Sequence, residues 1–350
     1  MSAGFQAVQW NAAKLRYDAI LLGLVALYIG GFMAVSIALA PPADRSAWID
    51  LRIKAFGTCA FLMLSAALAI GPLARLNARF LPLLYNRRHL GVATFIVALL
   101  HAGFMIEWYL LESDIANLAG ELTSWGDYLN FPAGFPFKTL GLIALLTMLI
   151  MAATSHDYWL AALTPPVWKG IHMAVYLAYG AAALHVALGA MQNNRHPLVP
   201  ILLFALVGAV ALLHLLAARQ EAAGDTGAET SPGPDGGWLH VGAADSIPDG
   251  RARIVSAAGG ERIAVFRDGR IVSAVSNLCA HQNGPVGEGR VVDGCIVCPW
   301  HGYEYRVEDG CAPPPFAEKL ATYPVRLRGA IIEVAPTPLP PGTRAFLTLS

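Results

Sequence analysis

The sequence predicts a multi-domain protein in which an all-α bundle of six transmembrane helices precedes a small all-β domain with antiparallel strands. The first observation is composition: 56% of the 350 residues are hydrophobic and only 14% are charged, which is too apolar for an ordinary soluble protein. The second is distribution, because the long apolar runs lie before about Ala218, and the residues after about Trp238 have the composition of a soluble domain. The third is the stretch between them, rich in Gly, Ser, Pro and acidic residues, which is typical of a flexible linker.

These observations divide the chain into four predicted segments. They are a transmembrane domain over residues 1–218, a flexible linker over 219–237, a soluble domain over 238–335 and a C-terminal tail over 336–350. The formal net charge is zero, so nothing indicates a polyanionic partner, and we expect no nucleic acid to bind. The partner that the composition does predict is a lipid bilayer.

Six apolar runs approach the length of about 20 residues that a helix needs to cross a bilayer. The first run is followed by "APPA", which resembles a signal-peptide cleavage site. Because it is longer than the apolar core of a signal peptide and five further runs follow, we expect a retained anchor. The predicted spans are Ala19–Ala40, Ala55–Leu76, Leu90–Leu110, Thr139–Ser155, Val167–Met191 and Leu198–Ala218.

The distribution of Lys and Arg predicts the orientation of these spans. The side that holds both termini collects somewhat more basic residues than the other side, and basic residues favour the cytoplasmic face. We therefore expect a multi-pass protein of the inner (cytoplasmic) membrane with its soluble domain in the cytoplasm. The long loop "ESDIANLAGELTSWGDYLNFPAGFPF" after the third span would face outward.

Three histidines within the predicted spans are candidate haem ligands. Ionisable residues inside a membrane are costly and usually functional, and a neutral imidazole is a common axial ligand of haem iron. Depth pairs His101 of the third span with His185 of the fifth. His172 lies thirteen residues before His185, about 20 Å along a helix, and therefore near the cytoplasmic face. Its partner would be His89 or His214, which have similar depth.

Each of these histidines also has a structural interpretation, because a membrane histidine can hydrogen-bond across a helix interface. For His101, His172 and His185 together we favour haem. For His89, which lies beside two arginines at a helix end, we favour the interfacial role. For His214 both interpretations stay open.

At these positions the sequence resembles the ferric reductase-like transmembrane family, which includes ferric reductases, NADPH oxidases and the haem-binding membrane subunit of the periplasmic methionine sulfoxide reductase system. The resemblance rests on "YNRRHLGVATFIVALLH" and on "MAATSHDYWLAALTPPVWKGIHMAVYLAYGAAALH". It implies one or two b-type haems on His101, His172 and His185, and it does not settle His89 or His214. Unlike ferric reductases and NADPH oxidases, the chain has no G-x-G-x-x-G followed by a helix, so we expect another electron-exchanging partner for the haem.

The soluble segment reads as short strands joined by turns. "RIAVFRDGRIVSAVS" predicts a hairpin with Asp268-Gly269 at its turn, and "VVDGCIVC" repeats the device at Asp293-Gly294, since Asp-Gly favours the tight turns of β-hairpins. "VRLRGAIIEV" predicts a third hairpin. No helical period is evident, so a small antiparallel β domain is expected.

Two loops of this domain carry a cysteine and a histidine each. Cys279 and His281 form C-x-H, and Cys298 and His301 form C-x-x-H. Tetrahedral zinc with two sulfur and two nitrogen ligands is one interpretation. Zinc fingers, however, usually take two cysteines from one loop and two histidines from another. One of each per loop suits a binuclear cluster in which the cysteines bind one iron and the histidines bind the other.

The pattern C-x-H…C-x-x-H with "CPWHG" resembles the Rieske [2Fe-2S] family, and the resemblance covers the whole soluble domain. It implies that Cys279 and Cys298 bind one iron and that His281 and His301 bind the other. Some Rieske proteins have a disulfide between the cluster loops, at positions that are Gly284 and Trp300 in this sequence. The disulfide is therefore absent, and Cys295 and Cys311 are expected to be free thiols, which fits a reducing compartment.

The resemblance also bears on the reduction potential of the cluster. High-potential members carry a serine two residues after the last ligand, and this chain has Tyr303 there. Tyr303 is too bulky to donate the same hydrogen bond, whereas Tyr305 can still donate one. We therefore expect a potential in the lower part of the Rieske range of roughly −150 to +300 mV. "CAPPPF", with Pro313 to Pro315, is expected to form a loop that shields the cluster.

Taken together, these features predict a membrane-bound carrier of single electrons. A cytoplasmic reductase or ferredoxin would reduce the cluster, the cluster would reduce the inner haem, and an unknown acceptor would take electrons at the outer face. The chain has no second soluble domain for the mononuclear iron of a Rieske oxygenase. Two alternatives stay open: a membrane-anchored ferredoxin without haem, and a reductase of ferric chelates or quinones in its own right.

Overall fold

The computed structural model describes most of the chain, namely residues 12–80, 83, 87–123, 125–129, 135–155, 159, 163, 165–193, 198–225, 237–257, 261–280, 284–299, 303–314 and 316–349. Two compact units are present. One consists of residues 1–71 and 86–214, and the other of residues 72–85 and 215–350. The first unit is helical, and the strands all lie in the second.

Long apolar helices make up the first unit. Five helices in the described residues are long and apolar enough to cross a membrane, and a sixth apolar helix is shorter. Five of the six predicted spans are thus found and the fourth is the shorter helix, while the described residues form more helices than the six predicted. The helices are α1 (Ala12–Leu39), α2 (Arg45–Leu76), α3 (Arg87–Glu112), α4 (Ile115–Thr123), α5 (Trp125–Leu129), α6 (Phe137–Ala153), α7 (Pro165–Met173), α8 (Val175–Asn193) and α9 (Leu198–Asp225).

Residues 170–189 of the predicted fifth span form one candidate membrane span, within which the helix tightens at Ala174. Helix α7 ends at Met173 and α8 begins at Val175. Between them the Ala174 N–H bonds to the carbonyl oxygen of Ile171 at 3.1 Å, a bond to the third preceding residue rather than the fourth, which tightens the turn locally. His172 and His185 therefore belong to different helices.

Two further differences from the sequence prediction concern segments that looked irregular. The loop predicted to face outward contains α4 and α5. The start of α4 is capped by Asp114, whose Oδ1 accepts the Ala116 N–H at 3.1 Å, as acidic and hydroxyl side chains commonly do. Helix α9 continues to Asp225, seven residues into the predicted linker, because the sequence there is rich in Ala, Arg, Gln and Glu, which are good helix formers.

The β domain consists of short antiparallel strands in three sheets. Their orders are β1-β10-β9, β11-β4-β3-β2 with β8 also paired to β4, and β5-β6-β7. The third sheet carries one of the two cysteine loops. The strands are β1 (Leu239–Ala243), β2 (Ala252–Ser256), β3 (Arg262–Asp268), β4 (Ile271–Ser276), β5 (Arg290–Val292), β6 (Cys295–Val297), β7 (Glu304–Arg306), β8 (Thr322–Tyr323), β9 (Val325–Arg328), β10 (Ile331–Val334) and β11 (Phe346–Thr348).

The three predicted hairpins are confirmed as β3–β4, β5–β6 and β9–β10. At the second turn Asp293 and Gly294 both have positive φ, 50° and 74°, which is the conformation that Asp-Gly adopts in a two-residue turn. Strand β11 lies in the segment predicted as a tail and pairs with β4 through Leu347 and Val272. The end of the chain thus completes a sheet.

Candidate metal centres

His101, in the middle of α3, is held by the main chain of α2. Its Nδ1 lies 2.9 Å from the carbonyl oxygen of Ile53. A carbonyl oxygen only accepts, so Nδ1 carries the proton and Nε2 is left with its lone pair. An imidazole fixed in this tautomer is ready to bind a metal through Nε2.

His185, in α8, is held by α6 in the same manner. Its Nδ1 lies 2.9 Å from the carbonyl oxygen of Phe137. In both cases the histidine follows its carbonyl partner by 48 residues. The helical unit therefore contains the same histidine–carbonyl hydrogen bond twice, once between α2 and α3 and once between α6 and α8.

The structure brings His101 and His185 together, as depth in the sequence predicted. Their ring centres are 6.2 Å apart, and the ring planes cross at 81°. Two metal–nitrogen bonds of about 2 Å each, together with the distance from each nitrogen to its ring centre, fill a gap of this size. The pair therefore fits two axial ligands of one haem iron.

Two glycines that the sequence analysis did not single out lie against these rings. A Cβ atom added to Gly57 would lie 2.8 Å from Nδ1 of His101, and one added to Gly141 would lie 2.8 Å from Nδ1 of His185. The sequence does carry a signal for them. The motif Lys-x-x-Gly occurs at Lys54 and again at Lys138, each at the same distance before a membrane histidine.

His172, the third predicted haem ligand, has a different environment. Its Nδ1 lies 3.0 Å from the carbonyl oxygen of Trp168 in its own helix, and its ring stacks on the Trp168 indole at 3.8 Å. The tautomer again leaves the lone pair on Nε2, which lies 3.3 Å from the Ser155 hydroxyl. His172 therefore has a ligand-competent tautomer, but its ring contact is with tryptophan rather than with another histidine.

The two candidate partners of His172 differ in the group that bonds to Nδ1, and in both the bond leaves Nε2 with its lone pair. His89 Nδ1 donates a hydrogen bond to the carboxylate of Asp18 in α1 at 2.7 Å, as the interfacial interpretation predicted. His214 Nδ1 lies 2.9 Å from the Val210 carbonyl oxygen, and its ring contacts Tyr176 at 5.7 Å.

A cavity of about 540 Å³ opens at the end of the helical unit where α2 begins and α3 ends. Two of its lining residues are Ile53 and Phe137, whose carbonyl oxygens hold the paired histidines. Its polar rim contains two carboxylates and one ammonium group. The lining residues are Asp44, Ser46, Ala47, Asp50, Ile53, Met105, Trp108, Phe137 and Lys138.

In the β domain, the two cysteine loops close in the same way. The Cys279 N–H donates to the carbonyl oxygen of Gly284 at 2.9 Å, and the Cys298 N–H donates to that of Tyr303 at 2.8 Å. Each bond spans five residues, so the chain returns to Cys279 at Gly284 and to Cys298 at Tyr303. His281 and His301 fall within these loops and outside the described residues.

Both predicted cysteine ligands are buried in one apolar cluster of side chains. Cys279 is 1% exposed and Cys298 is 0% exposed. The buried Tyr305 hydroxyl lies 3.2 Å from the Sγ of Cys279. A thiolate bound to iron accepts hydrogen bonds only, so in the metal-bound protein the hydroxyl donates. The donor set fits an iron–sulfur cluster, and Tyr305 lies where it can donate a hydrogen bond to Cys279.

Tyr303 bonds away from the cysteines. Its hydroxyl donates to the Glu318 carboxylate, and its ring contacts those of Tyr305 and Phe316 at 5.2 and 5.1 Å. Burial raises the pKa of the Tyr303 phenol, and the Glu318 carboxylate raises it further, so the phenol stays protonated. Tyr303 therefore ties the proline-rich loop that precedes Glu318 to the second cysteine loop.

No cysteine of the chain is in a disulfide, and all five lie in the described residues. This agrees with the predicted absence of a bridge between the cysteine loops. Cys295 and Cys311 are free thiols, as expected. Burial raises the pKa of the Cys295 thiol, which disfavours the reactive thiolate form.

Two family models match the chain. The model of the Rieske [2Fe-2S] domain matches residues 237–324. The model of the ferric reductase like transmembrane component matches residues 56–183, which include His101 and His172 and end just before His185.

Individual proteins match the same two parts. The ferredoxin subunit of anthranilate 1,2-dioxygenase from Burkholderia cepacia is 36% identical over 102 residues, which are 28% of this chain and 90% of that protein. The haem-binding subunit of protein-methionine-sulfoxide reductase from Ralstonia nicotianae is 30% identical over 166 residues, which are 47% of this chain and 69% of that protein. The chain belongs to both families.

This fusion of a ferric reductase-like domain and a Rieske domain is a multi-pass membrane protein that transfers electrons and carries a [2Fe-2S] cluster and haem b. Among solved structures, the ferredoxin of carbazole 1,9a-dioxygenase from Nocardioides aromaticivorans is similar at 29% identity, covering 29% of this chain and 99% of that one with a TM-score of 0.27.

Proposed function

We propose that the protein relays single electrons from a cytoplasmic donor, through its Rieske cluster and intramembrane haem, to an acceptor at the outer face of the inner membrane. The observation that carries this proposal is the pair His101 and His185, whose rings lie 6.2 Å apart with each Nδ1 bonded to a carbonyl oxygen. When bound, the haem and the cluster each accept and release one electron. The protein supplies ligands, burial and spacing.

Each cofactor is assigned to named residues. His101 and His185 hold one haem. His172, whose tautomer also presents Nε2, is the proposed ligand of a second haem. Cys279 and Cys298 bind one iron of the cluster. His281 and His301, which lie outside the described residues, would bind the other iron.

The domain boundaries and the orientation are part of the proposal. We expect the predicted linker, of which residues 226–236 lie outside the described residues, to act as a tether that lets a cytoplasmic Rieske domain reach both its donor and the haem. The cavity of about 540 Å³ lies at the end of the bundle predicted to face outward. Because its lining includes Ile53 and Phe137, whose carbonyl oxygens hold the histidine pair, an acceptor in this cavity would approach the haem closely.

The relatives support the two halves of the proposal. One is named as the haem-binding subunit of a reductase, and the other as the ferredoxin subunit of a dioxygenase. A reductase for ferric chelates or quinones at the same cavity is the second candidate function, and its mixed apolar and charged lining favours small redox-active acceptors.

The first experiment is a dithionite-reduced minus air-oxidised optical spectrum of the purified protein in detergent. We expect the sharp bands of a low-spin haem with two histidine ligands above the weak absorption of the cluster. A spectrum with the weak bands alone would overturn the relay.

A second experiment tests whether electrons pass from the cluster to the haem or whether the two cofactors are merely present in the same protein. A ferredoxin reductase with its nicotinamide substrate reduces the full chain in a stopped-flow instrument, and haem reduction is followed. We expect haem reduction to be much slower in Cys298→Ser than in the parent, because electrons enter through the cluster. Equal rates in both would show that the haem is reduced directly.

A further inference from the structure

Helix geometry explains why a glycine lies beside each of the paired histidines. In an α-helix the N–H of a residue bonds to the carbonyl of the fourth residue before it. Gly57 is therefore the helical partner of the Ile53 carbonyl, and Gly141 is the partner of the Phe137 carbonyl. Both carbonyls also accept the histidine Nδ1–H. A side chain at the glycine would stand beside the shared oxygen, where the imidazole must enter.

The clearances at the two sites are the same. From the position of an added Cβ on Gly57, the Nδ1 and Cε1 of His101 are 2.8 and 2.9 Å away, and the corresponding distances from Gly141 to His185 are also 2.8 and 2.9 Å. Carbon and nitrogen atoms in contact are normally farther apart than this. Alanine at either site would therefore push the ring away from its carbonyl.

A glycine in a helix does not by itself indicate such a role, because at several helical glycines of this unit an added Cβ atom would have no neighbour within 4 Å. At Gly103 in α3 and Gly180 in α8, for example, an added Cβ has no atom within 4 Å. Among the described glycines, only Gly57 and Gly141 have a histidine ring within 3 Å of the added atom.

We propose that Gly57 and Gly141 are positioning residues of the haem site. Each leaves room for the imidazole to donate Nδ1–H to the helix carbonyl, and the two together fix the crossed orientation of the rings. Such hydrogen bonds orient a ligand and raise its basicity. The inference rests on the proposed function, since it takes His101 and His185 as the haem ligands.

The test compares Gly57→Ala and Gly141→Ala with the matched controls Gly103→Ala and Gly180→Ala, all in the full chain. The cluster signal of the same polypeptide gives the amount of folded protein in each preparation. The readouts are haem per cluster, the affinity for added haem, the electron paramagnetic resonance spectrum of the oxidised haem and its midpoint potential.

We expect each glycine variant to weaken haem affinity about 10- to 100-fold, as loss of a ligand-orienting hydrogen bond does, and to change the haem spectrum and potential. The controls should match the parent. If one variant fails to accumulate, the other tests the equivalent half. Glycine variants with the parent's spectrum, potential and affinity would overturn the inference while leaving the ligand assignment intact. A His101→Ala variant that keeps the parent's haem spectrum would instead overturn the proposed ligands, and the inference with them.

Discussion

The haem site and the cysteine site orient their ligands by different means. In the helical unit, the groups that hold His101 and His185 are main-chain carbonyls of neighbouring helices. In the β domain, the group that reaches Cys279 is the hydroxyl of a side chain, Tyr305. Both arrangements place one hydrogen-bonding group behind or beside a metal ligand, and such groups tune the metal.

The difference follows from where each site lies. Helices in a bilayer satisfy their own main-chain groups, and a helix carbonyl with a second lone pair can accept from an imidazole without any polar side chain. Short strands and loops leave room for side chains such as Tyr305, which is fully buried beside the thiol. We therefore expect substitution of glycines to change the properties of the haem, and removal of side-chain hydroxyls to change the properties of the cluster.

The largest expected effect tests whether the two centres are independent. We expect Cys298→Ser to abolish the cluster and to leave the haem spectrum intact, because the buried thiol is a proposed iron ligand in a separate compact unit. Electron paramagnetic resonance of the reduced protein and the optical spectrum measure the two centres. Cys311→Ser, which changes a thiol outside the cysteine loops, should keep both signals. Loss of haem along with the cluster would show that the centres depend on each other.

The next effect concerns the number of haems in the helical unit. We expect two haems per cluster in the parent and one in His172→Ala, because His172 is the proposed ligand of the second haem and lies in a different helix from His185. The ratio of haem to iron–sulfur iron gives this number. Tyr176→Phe, a conservative change on the neighbouring helix α8, should keep the parent's ratio. One haem in both the parent and His172→Ala would mean that the stack of His172 on Trp168 is structural.

A moderate effect is expected at the tyrosine that bonds to the cysteine. Tyr305→Phe removes a donor that stabilises the more negative, reduced cluster, so its midpoint potential should fall. A hydrogen bond with a net value of about 1 kcal/mol corresponds to roughly 40 mV for one electron, at about 59 mV per tenfold change. A redox titration followed by electron paramagnetic resonance measures the shift. Tyr323→Phe, whose hydroxyl bonds to Glu261 instead, should leave the potential unchanged.

The sequence alone allows ligand types to be proposed for both sites, because ligand chemistry needs particular side chains, and these assignments stay predictions. Cysteine and histidine in the Rieske loops and histidine within apolar spans are visible without a structure. The three hairpins were also predictable, since Asp268-Gly269 and Asp293-Gly294 favour tight turns.

The features that the sequence analysis missed are mainly features of the main chain, which leave no pattern of side chains. The carbonyls of Ile53 and Phe137 have no side-chain signature, and Gly57 resembles any other glycine in an apolar helix. Only comparison of the two helix pairs reveals the repeated spacing. The break at Ala174 was missed for the same reason, because a single tightened turn leaves the hydrophobic pattern unchanged. Strand β11 was missed because a three-residue edge strand is too short to show a period.

The smallest expected effect concerns charge in the β domain, where solvent is close. Asp309 accepts bonds from the Arg306 side chain, at 2.6 and 3.1 Å, and from the Cys311 N–H at 3.0 Å. Burial acts to raise the pKa of Asp309, but the bonds from Arg306 and Cys311 outweigh it, and the pKa is lowered. The carboxylate therefore stabilises the fold above its unfolded-state pKa, and this contribution is lost as pH falls through the folded-state pKa.

Asp309→Asn should lower the free energy of unfolding by about 1 kcal/mol at neutral pH, and the difference from the parent should vanish below the folded-state pKa of Asp309. Thermal unfolding followed by loss of cluster absorbance measures both. Asp245→Asn, at a side chain that is 96% exposed, should have no effect at either pH. Because main-chain carbonyls do not titrate, haem retention in Asp309→Asn should follow the parent at every pH tested. A loss of haem that tracked the titration of Asp309 would show that the haem site depends on the β domain. It would contradict the expectation that the two sites are independent.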